Sequence, residues 1–421
     1  MPIIIITVTL IFFTCCSALA EPTVKVSGFG TLGAVITDSD EFGYRADFSS
    51  TGDVFDGKVD FAESSNLGVQ FDIVTRTGFD AVTQLIYRNQ DNLTLDSVLN
   101  MAFIRYSPNP NWSFRVGRTA FDLFLLTEFR DIGFAYPWAH VPSEIYGVIP
   151  HRNIDGVDAS YIRRLGAGTM SGKLFYGKSE AGVSGFGLDE TIEVKFGKVV
   201  GIALDYNTAN WDLSFNHSRV IFDSQVVTPL VNGIKFLNSQ VPGFQFIWPN
   251  ADSLADGMEI DNTSGTYTTI GGQYYLEKMT FIAELARIRA ESLSIPRVAS
   301  GYASAIYHGG SHNFFTSFAF SRTKRAEFDA VNLAALQQIP GGPDIYLNAQ
   351  MTLGFYNVNQ QTVSLGWRWD LSETLSFKLQ WDHTRINKGG STLWQPADML
   401  GNLDKPTGHI NALFSNISFA F

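Results

Sequence analysis

Apolar and polar side chains alternate with a period of two through most of this chain. Leu67, Val69, Phe71 and Ile73 fall on one side of an extended segment, and Gln70, Asp72 and Arg76 on the other. Val363, Leu365, Trp367, Trp369 and Leu371 alternate with Ser364, Gly366, Arg368 and Asp370. Directly after them, Leu375, Phe377, Leu379 and Trp381 alternate with Ser376, Lys378, Gln380 and Asp382. Successive side chains of a strand point to opposite faces, so each such segment predicts a strand with one apolar and one polar face. Helical spacing is never sustained for long.

The connections alternate as well. Short turns are expected at Thr77-Gly78, Ser107 to Asn111, Leu165 to Gly168, Asn207 to Asn210, Glu277-Lys278, Gly309 to Ser311 and Ser372-Glu373. Long loops are expected over about 38–63, 89–96, 119–151, 178–190, 222–264, 290–299, 324–358 and 387–407. Seven turns interleaved with eight loops predict sixteen strands, and a further strand hidden in 190–206 or 324–358 leaves eighteen as the alternative. The fold class is all-β: an even count with both termini on the short-turn side is the layout of a transmembrane antiparallel β-barrel. Closure follows from the solvent, because an unpaired backbone amide in hydrocarbon costs several kcal/mol and an open sheet edge cannot be tolerated. Tyr87, Tyr106, Trp112, Tyr161, Trp211, Tyr274, Trp369 and Trp381 fall where strands would meet the membrane interface, a level that suits rings with an apolar body and a polar tip. The last strand, Asn411 to Phe421, ends with Ile417, Phe419 and Phe421 on one face.

Composition supports this picture. The 421 residues are 45% hydrophobic and only 17% charged, with 38 Gly, 34 Phe, 15 Tyr and 8 Trp. Beyond the N-terminus no run of about eighteen apolar residues occurs, which excludes a helical membrane protein. Aromatic and branched residues run the full length, which excludes disorder. A formal net charge of −11 and a pI near 5.1 argue against a nucleic-acid partner, which calls for a basic stripe.

Two regions of the chain are distinguished. Residues 1–20 carry no charged side chain, and an apolar stretch from Ile3 to Phe13 leads to Ala18-Leu19-Ala20, a small-x-small site. This reads as a cleaved signal peptide followed by a single barrel domain over 21–421. Both cysteines, Cys15 and Cys16, lie in the leader, so the exported chain carries no disulfide.

The local sequence Arg115-Val116-Gly117-Arg118, followed by the loop from Thr119 to His151, is the most specific piece of the chain. Within the loop stand Gly133-Phe134-Ala135-Tyr136-Pro137-Trp138 and Pro142-Ser143-Glu144-Ile145-Tyr146-Gly147. With the strand layout, these resemble the Gram-negative porin superfamily of sixteen-stranded barrels. The resemblance implies an outer-membrane location, a third extracellular loop folded into the lumen, and a homotrimer. Here Ser143 separates the loop's proline from its glutamate, a departure from the family's pattern. Inward positions are expected for Arg76, Arg88, Arg105 and Arg115, with Arg118 beside them, facing Asp122, Glu128, Asp131 and Glu144 in the loop. Opposed basic and acidic walls would set a transverse field across the narrowest part of a pore, or pair directly and pin the loop to the wall. Tyr136, Trp138 and Tyr146 offer a stacking surface for a sugar or aromatic solute, or anchors for the loop. A flank for trimer contacts is expected from Gly28, Gly30, Leu32 and Ala34 with Ile417 and Phe419. A short helix is expected over Ala326 to Gln338.

Several motifs carry no chemistry. Gly28-Phe29-Gly30-Thr31-Leu32-Gly33 spells a dinucleotide fingerprint, but the strand continues through it and no βαβ unit follows. The histidines (His140, His151, His217, His308, His312, His383 and His409) are scattered, and no metal and no cofactor is expected. No nucleophile elbow, zinc-protease motif or phosphate-binding lysine occurs, which argues against an enzyme. Acidic residues concentrate in loops, for example Asp252, Asp256, Glu259 and Asp261, as expected of loops beside lipopolysaccharide. The expected function is an outer-membrane porin passing small hydrophilic solutes and ions by diffusion. The alternatives are a substrate-selective channel for an anion or sugar, and a plugged structural or adhesive barrel.

Overall fold

The computed structural model describes residues 22–50, 54–90, 93–184, 191–295, 297–324, 331–397 and 408–421. The expected signal peptide, with Cys15 and Cys16, lies outside the described residues, as does the first part of the helix expected over Ala326 to Gln338.

Sixteen strands form one closed antiparallel barrel, each paired with its neighbours in chain order. They are β1 (Thr23–Thr37), β2 (Asn66–Val74), β3 (Phe79–Arg88), β4 (Leu99–Asn109), β5 (Trp112–Ala120), β6 (Asn153–Leu165), β7 (Gly168–Ser184) and β8 (Thr191–Asn207). The second half runs β9 (Trp211–Phe222), β10 (Ser264–Tyr275), β11 (Met279–Ala290), β12 (Arg297–Gly309), β13 (His312–Lys324), β14 (Val358–Ser372), β15 (Leu375–Ser391) and β16 (Gly408–Ala420). The segment 190–206 is β8 itself and the described part of 324–358 is helical, so neither adds a strand to the barrel. Two short strands, Phe42–Tyr44 and Trp394–Pro396, pair with each other outside the barrel sheet.

Closure joins β1 to β16, with Gly30 opposite Phe419 and Thr31 opposite Ser418. At its end the Gly28 and Phe421 backbones exchange two hydrogen bonds of 2.9 Å. The apolar pattern is inside out relative to a soluble protein. Leu32 is 68% exposed and Leu174 62% exposed, whereas Ser418 and Ser376 are fully buried. That inversion suits a wall with hydrocarbon outside. Aromatic neighbours line the short-turn rim on adjacent strands: Phe79 stacks on Tyr106 at 4.5 Å, Trp112 lies 4.8 Å from Tyr161, and Trp211 lies 4.2 Å from Tyr274.

The glycines of β1 have a steric purpose. A Cβ at Gly28 would lie 2.4 Å from the Phe421 ring, and one at Gly30 would lie 2.6 Å from the Phe419 ring. The two terminal rings lie across the glycines, covering the seam on its outer side. The fingerprint-like spacing therefore serves ring-over-glycine packing between neighbouring strands.

The long loops are ordered over the described residues. The loop after β9 carries α1 (Thr228–Gln240) and α2 (Ala251–Met258), and the loop after β13 carries α3 (Gly342–Gly354). Val231, Ile234 and Leu237 of α1 are buried, as are Ala255 and Met258 of α2 and Leu353 of α3. A single turn, Leu333–Leu336, stands where sequence predicted the helix, and the longer α3 follows it. Among the described residues no helix is long and apolar enough to cross a membrane.

Candidate functional site

The segment between β5 and β6, residues 121–152, meets inward-facing side chains around the barrel wall. Backbone groups held away from bulk water need partners, and the wall supplies them. Lys378 of β15, fully buried, donates from Nζ to the carbonyls of Gly133, Tyr136 (2.7 Å) and Trp138 (2.8 Å). Arg368 of β14 donates to the Phe134 carbonyl at 2.7 Å and the Tyr136 carbonyl at 3.0 Å. Gln380 accepts from the Ala139 amide at 2.8 Å, and Asn416 donates to the Ala139 carbonyl at 2.6 Å. On another side, Glu284 of β11 accepts from the Leu125 amide at 2.9 Å and from the Tyr146 hydroxyl at 2.8 Å.

The sequence-expected residues separate into distinct environments. Arg88, Arg105 and Arg115 take inward positions. Arg105 and Arg115 are directly opposite each other on β4 and β5, and each pairs outward along the same row: Arg105 with Asp80 at 2.8 Å, Arg115 with Asp158 at 2.9 Å. Arg115 thus faces a carboxylate on the next strand rather than one in the loop. Arg118 shares the register of outward-facing Phe114 and Val116 and pairs with Asp155 and Asp96, each at 2.8 Å. Arg76 lies in the exposed turn between β2 and β3, where the alternation that placed it on the wall has already ended. Asp122 pairs with Lys173 of β7 at 2.8 Å, and Glu128 lies 3.8 Å from the same amine. Glu144, 1% exposed, accepts from Gln360 at 2.7 Å and from the Thr362 hydroxyl, so it is held to β14.

The three aromatic residues are anchors by geometry. Trp138 and Tyr146 are each 1% exposed, and the Trp138 indole donates to Ser317 at 3.1 Å. Tyr136 is also buried, under the Lys378 amine at 4.6 Å from its ring centre. Tyr136 and Tyr146 border a polar cavity under the first long loop.

Asp131 belongs to a cluster that the sequence did not foretell. Arg152 pairs with Asp131 at 2.6 Å and with Asp47 of the first long loop at 2.5 Å, while Arg130 lies 3.4 Å from Asp47. Burial alone would raise the Asp47 carboxyl, but Arg152 and Arg130 outweigh it and hold the group well below the usual carboxylate range. Burial lowers the Arg130 guanidinium to about 10, with Arg152 adding to the effect and Asp47 opposing it. Arg88 reaches the same region, and its Nε has no hydrogen-bond partner among the described residues. Three guanidinium groups therefore gather around two carboxylates.

Two polar cavities share Arg88 and Arg152 in their linings. One lies under the first long loop against Asp47, Glu63 and Arg130. The other opens among Asp96, Arg118, Glu180 and Glu193. Lys378, Arg368 and Gln380 were visible in sequence as the polar side of alternating strands. Asp47 and Arg152 carried no such signal, because 105 residues separate them and each lies in a loop.

No protein-family model and no curated protein matches the chain by sequence. By structure, the chain is similar to the outer membrane channel DcaP of Acinetobacter baumannii, with 12% identity, a TM-score of 0.52 and coverage of 95% of this chain and 98% of that one. It is also similar to an anion-selective porin from Comamonas acidovorans, with 13% identity, a TM-score of 0.50 and coverage of 95% and 100%. Salmonella typhi OmpF in complex with daunomycin matches with 11% identity, a TM-score of 0.52 and coverage of 95% and 98%. The chain has the porin-type fold of Gram-negative outer-membrane proteins, a closed barrel of sixteen antiparallel strands.

Proposed function

We propose that this chain is a bacterial outer-membrane channel through which small hydrophilic solutes and ions diffuse passively. In this reading residues 1–20 direct export and are removed, and the acidic loops face lipopolysaccharide. Residues 121–152 are the third extracellular loop and set the cutoff. The supporting observation is that two polar cavities share Arg88 and Arg152 in their linings. Solutes crossing that point pass three guanidinium groups and two carboxylates, and such charges set ion preference. The porin resemblance extends the proposal to a homotrimer, with β1 and β16 contributing to the shared flank. The reading involves no catalysis.

A second reading, a plugged or gated barrel, is favoured by the hydrogen bonds that tie residues 121–152 to β11, β14, β15 and β16. Planar-bilayer recording of the purified, refolded protein separates the two. Stable current steps, in groups of three for a trimer, are expected from an open pore. In a salt gradient, Arg88→Gln and Arg152→Gln should each move the reversal potential toward cations. A silent bilayer from protein whose folding is confirmed by heat-modifiable gel mobility would overturn free diffusion and support the plug.

A further inference from the structure

The inner wall changes character at the loop-side ends of β8 to β12. Inward positions of a water-filled barrel are normally polar, yet here Phe196, Val220, Phe222, Tyr267, Ile288 and Val298 face inward. With Phe121 and Leu123 they border a cavity of about 740 Å³, counted to the atom surfaces and including its open side. Arg289 contributes the charged residue of the lining, and its side chain is exposed on the outer register beside inward Ile288.

Three buried polar residues belong to this apolar lining. His151, Ser218 and Tyr267 are buried at 3%, 1% and 4% exposure. Among the described residues, His151 Nδ1, Ser218 Oγ and the Tyr267 hydroxyl have no hydrogen-bond partner. The His151 ring is fixed: Nε2 sits 3.1 Å from the Val194 carbonyl, and the ring stacks on Phe196 at 3.8 Å. Donation from Nε2 to that carbonyl leaves Nδ1 as an acceptor. Burial lowers the imidazole to about 3, so the ring is neutral at ordinary pH. Buried polar groups are rarely left without partners, and three along one cavity mark a place where a ligand's polar group would sit.

We propose that this cavity binds a neutral, ring-sized apolar molecule carrying a hydroxyl group. The apolar walls take the ring, His151 Nδ1 accepts the hydroxyl proton, and Ser218 and Tyr267 complete its hydrogen bonds. A charged solute is disfavoured, since the only charged residue in the lining among the described residues is Arg289, whose side chain lies on the outer register. This site adjoins the arginine cluster, His151 preceding Arg152 in the chain, but it takes up different side chains and stands whether or not the barrel conducts.

The test is a binding measurement, independent of current. The chain is refolded into lipid nanodiscs and dialysed to equilibrium against 2-naphthol, with naphthalene as the matched hydrocarbon and protein-free nanodiscs as the partition control. Saturable uptake of one 2-naphthol per chain above the control is expected. Val298→Trp, which fills the cavity, should abolish it. The double variant Ser218→Ala with Tyr267→Phe keeps the apolar volume and should weaken 2-naphthol about three- to tenfold while leaving naphthalene unchanged. Heat-modifiable mobility verifies that each variant folds, and the double variant decides the matter if Val298→Trp does not. Uptake equal to the protein-free control, saturable uptake that survives both variants, or equal losses for 2-naphthol and naphthalene in the double variant would each overturn the assignment.

Discussion

Glu63, in the first long loop, makes the stability of the fold depend on pH. Its carboxyl accepts from the Ala46 amide at 3.0 Å and from Asn89 at 2.7 Å, yet burial raises it to about 7. In the unfolded chain the group ionises at its ordinary value near 4.5, so between about 4.5 and 7 the folded state binds the extra proton. Stability therefore falls as pH rises through that window, by at most about 3 kcal/mol for a shift of this size. Glu63→Gln removes the penalty. Its stability relative to the parent should be greater at pH 8 than at pH 5, read from the temperature at which gel mobility changes. Asp47 acts in the opposite sense: its carboxyl is held low by Arg152 and Arg130 against the burial that would raise it, so its contribution is present above the ordinary carboxylate range and lost in acid. At this scale the sequence was legible only in part. Alternation put Arg88, Arg105 and Arg115 on the polar face, but it could not show that Arg115 meets Asp158 of the next strand. It also carried Arg76 past the end of its strand into a turn.

Between elements, one amine of β15 makes three of the hydrogen bonds that hold residues 121–152. Lys378→Met leaves the carbonyls of Gly133 and Trp138 without their donor, each at a cost of about 1–3 kcal/mol where no water replaces it, and leaves the Tyr136 carbonyl to Arg368 alone. The segment should loosen, and if the barrel conducts, single-channel conductance should rise and fluctuate relative to the parent; an identical current would show that Lys378 does not hold the loop in place. The β1–β16 seam has a comparable weak point. Gly30→Val places a side chain against the Phe419 ring, where a Cβ alone would come within 2.6 Å. Overpacking of this kind costs about 1–3 kcal/mol, and the seam is what closes the sheet. The expected outcome is a lower yield of heat-modifiable barrel on refolding, measured against Ala34→Val as a control. The strands were legible because a period of two is a local property. The helices were less so: α1 shows Val231, Ile234 and Leu237 at helical spacing, but within a long loop that spacing was outweighed by the strand pattern on either side.

For the molecule as a whole, the alternation of short turns and long loops was enough to predict sixteen strands, and the barrel has sixteen. The reason is physical: a two-faced strand with its apolar side outward satisfies its backbone only in a closed sheet, so the count and the order of neighbours follow from the pattern along the chain. Nothing comparable constrains the interior. Lys378 reaches Tyr136 across 242 residues and Arg152 reaches Asp47 across 105. Those pairings depend on how the first long loop, residues 121–152 and the wall share one enclosed space. Loop aromatics offered as stacking faces became buried anchors because the wall supplied partners for them. The apolar stretch of the inner wall was hidden for the same reason, since Phe196, Val220 and Ile288 come together only once β8 to β11 stand side by side. The sequence by itself determined the barrel, because alternation and closure are set by neighbouring residues and the surrounding hydrocarbon. Only the tertiary structure decided the charges, anchors and cavities inside, because these arise from contacts between segments far apart in the chain.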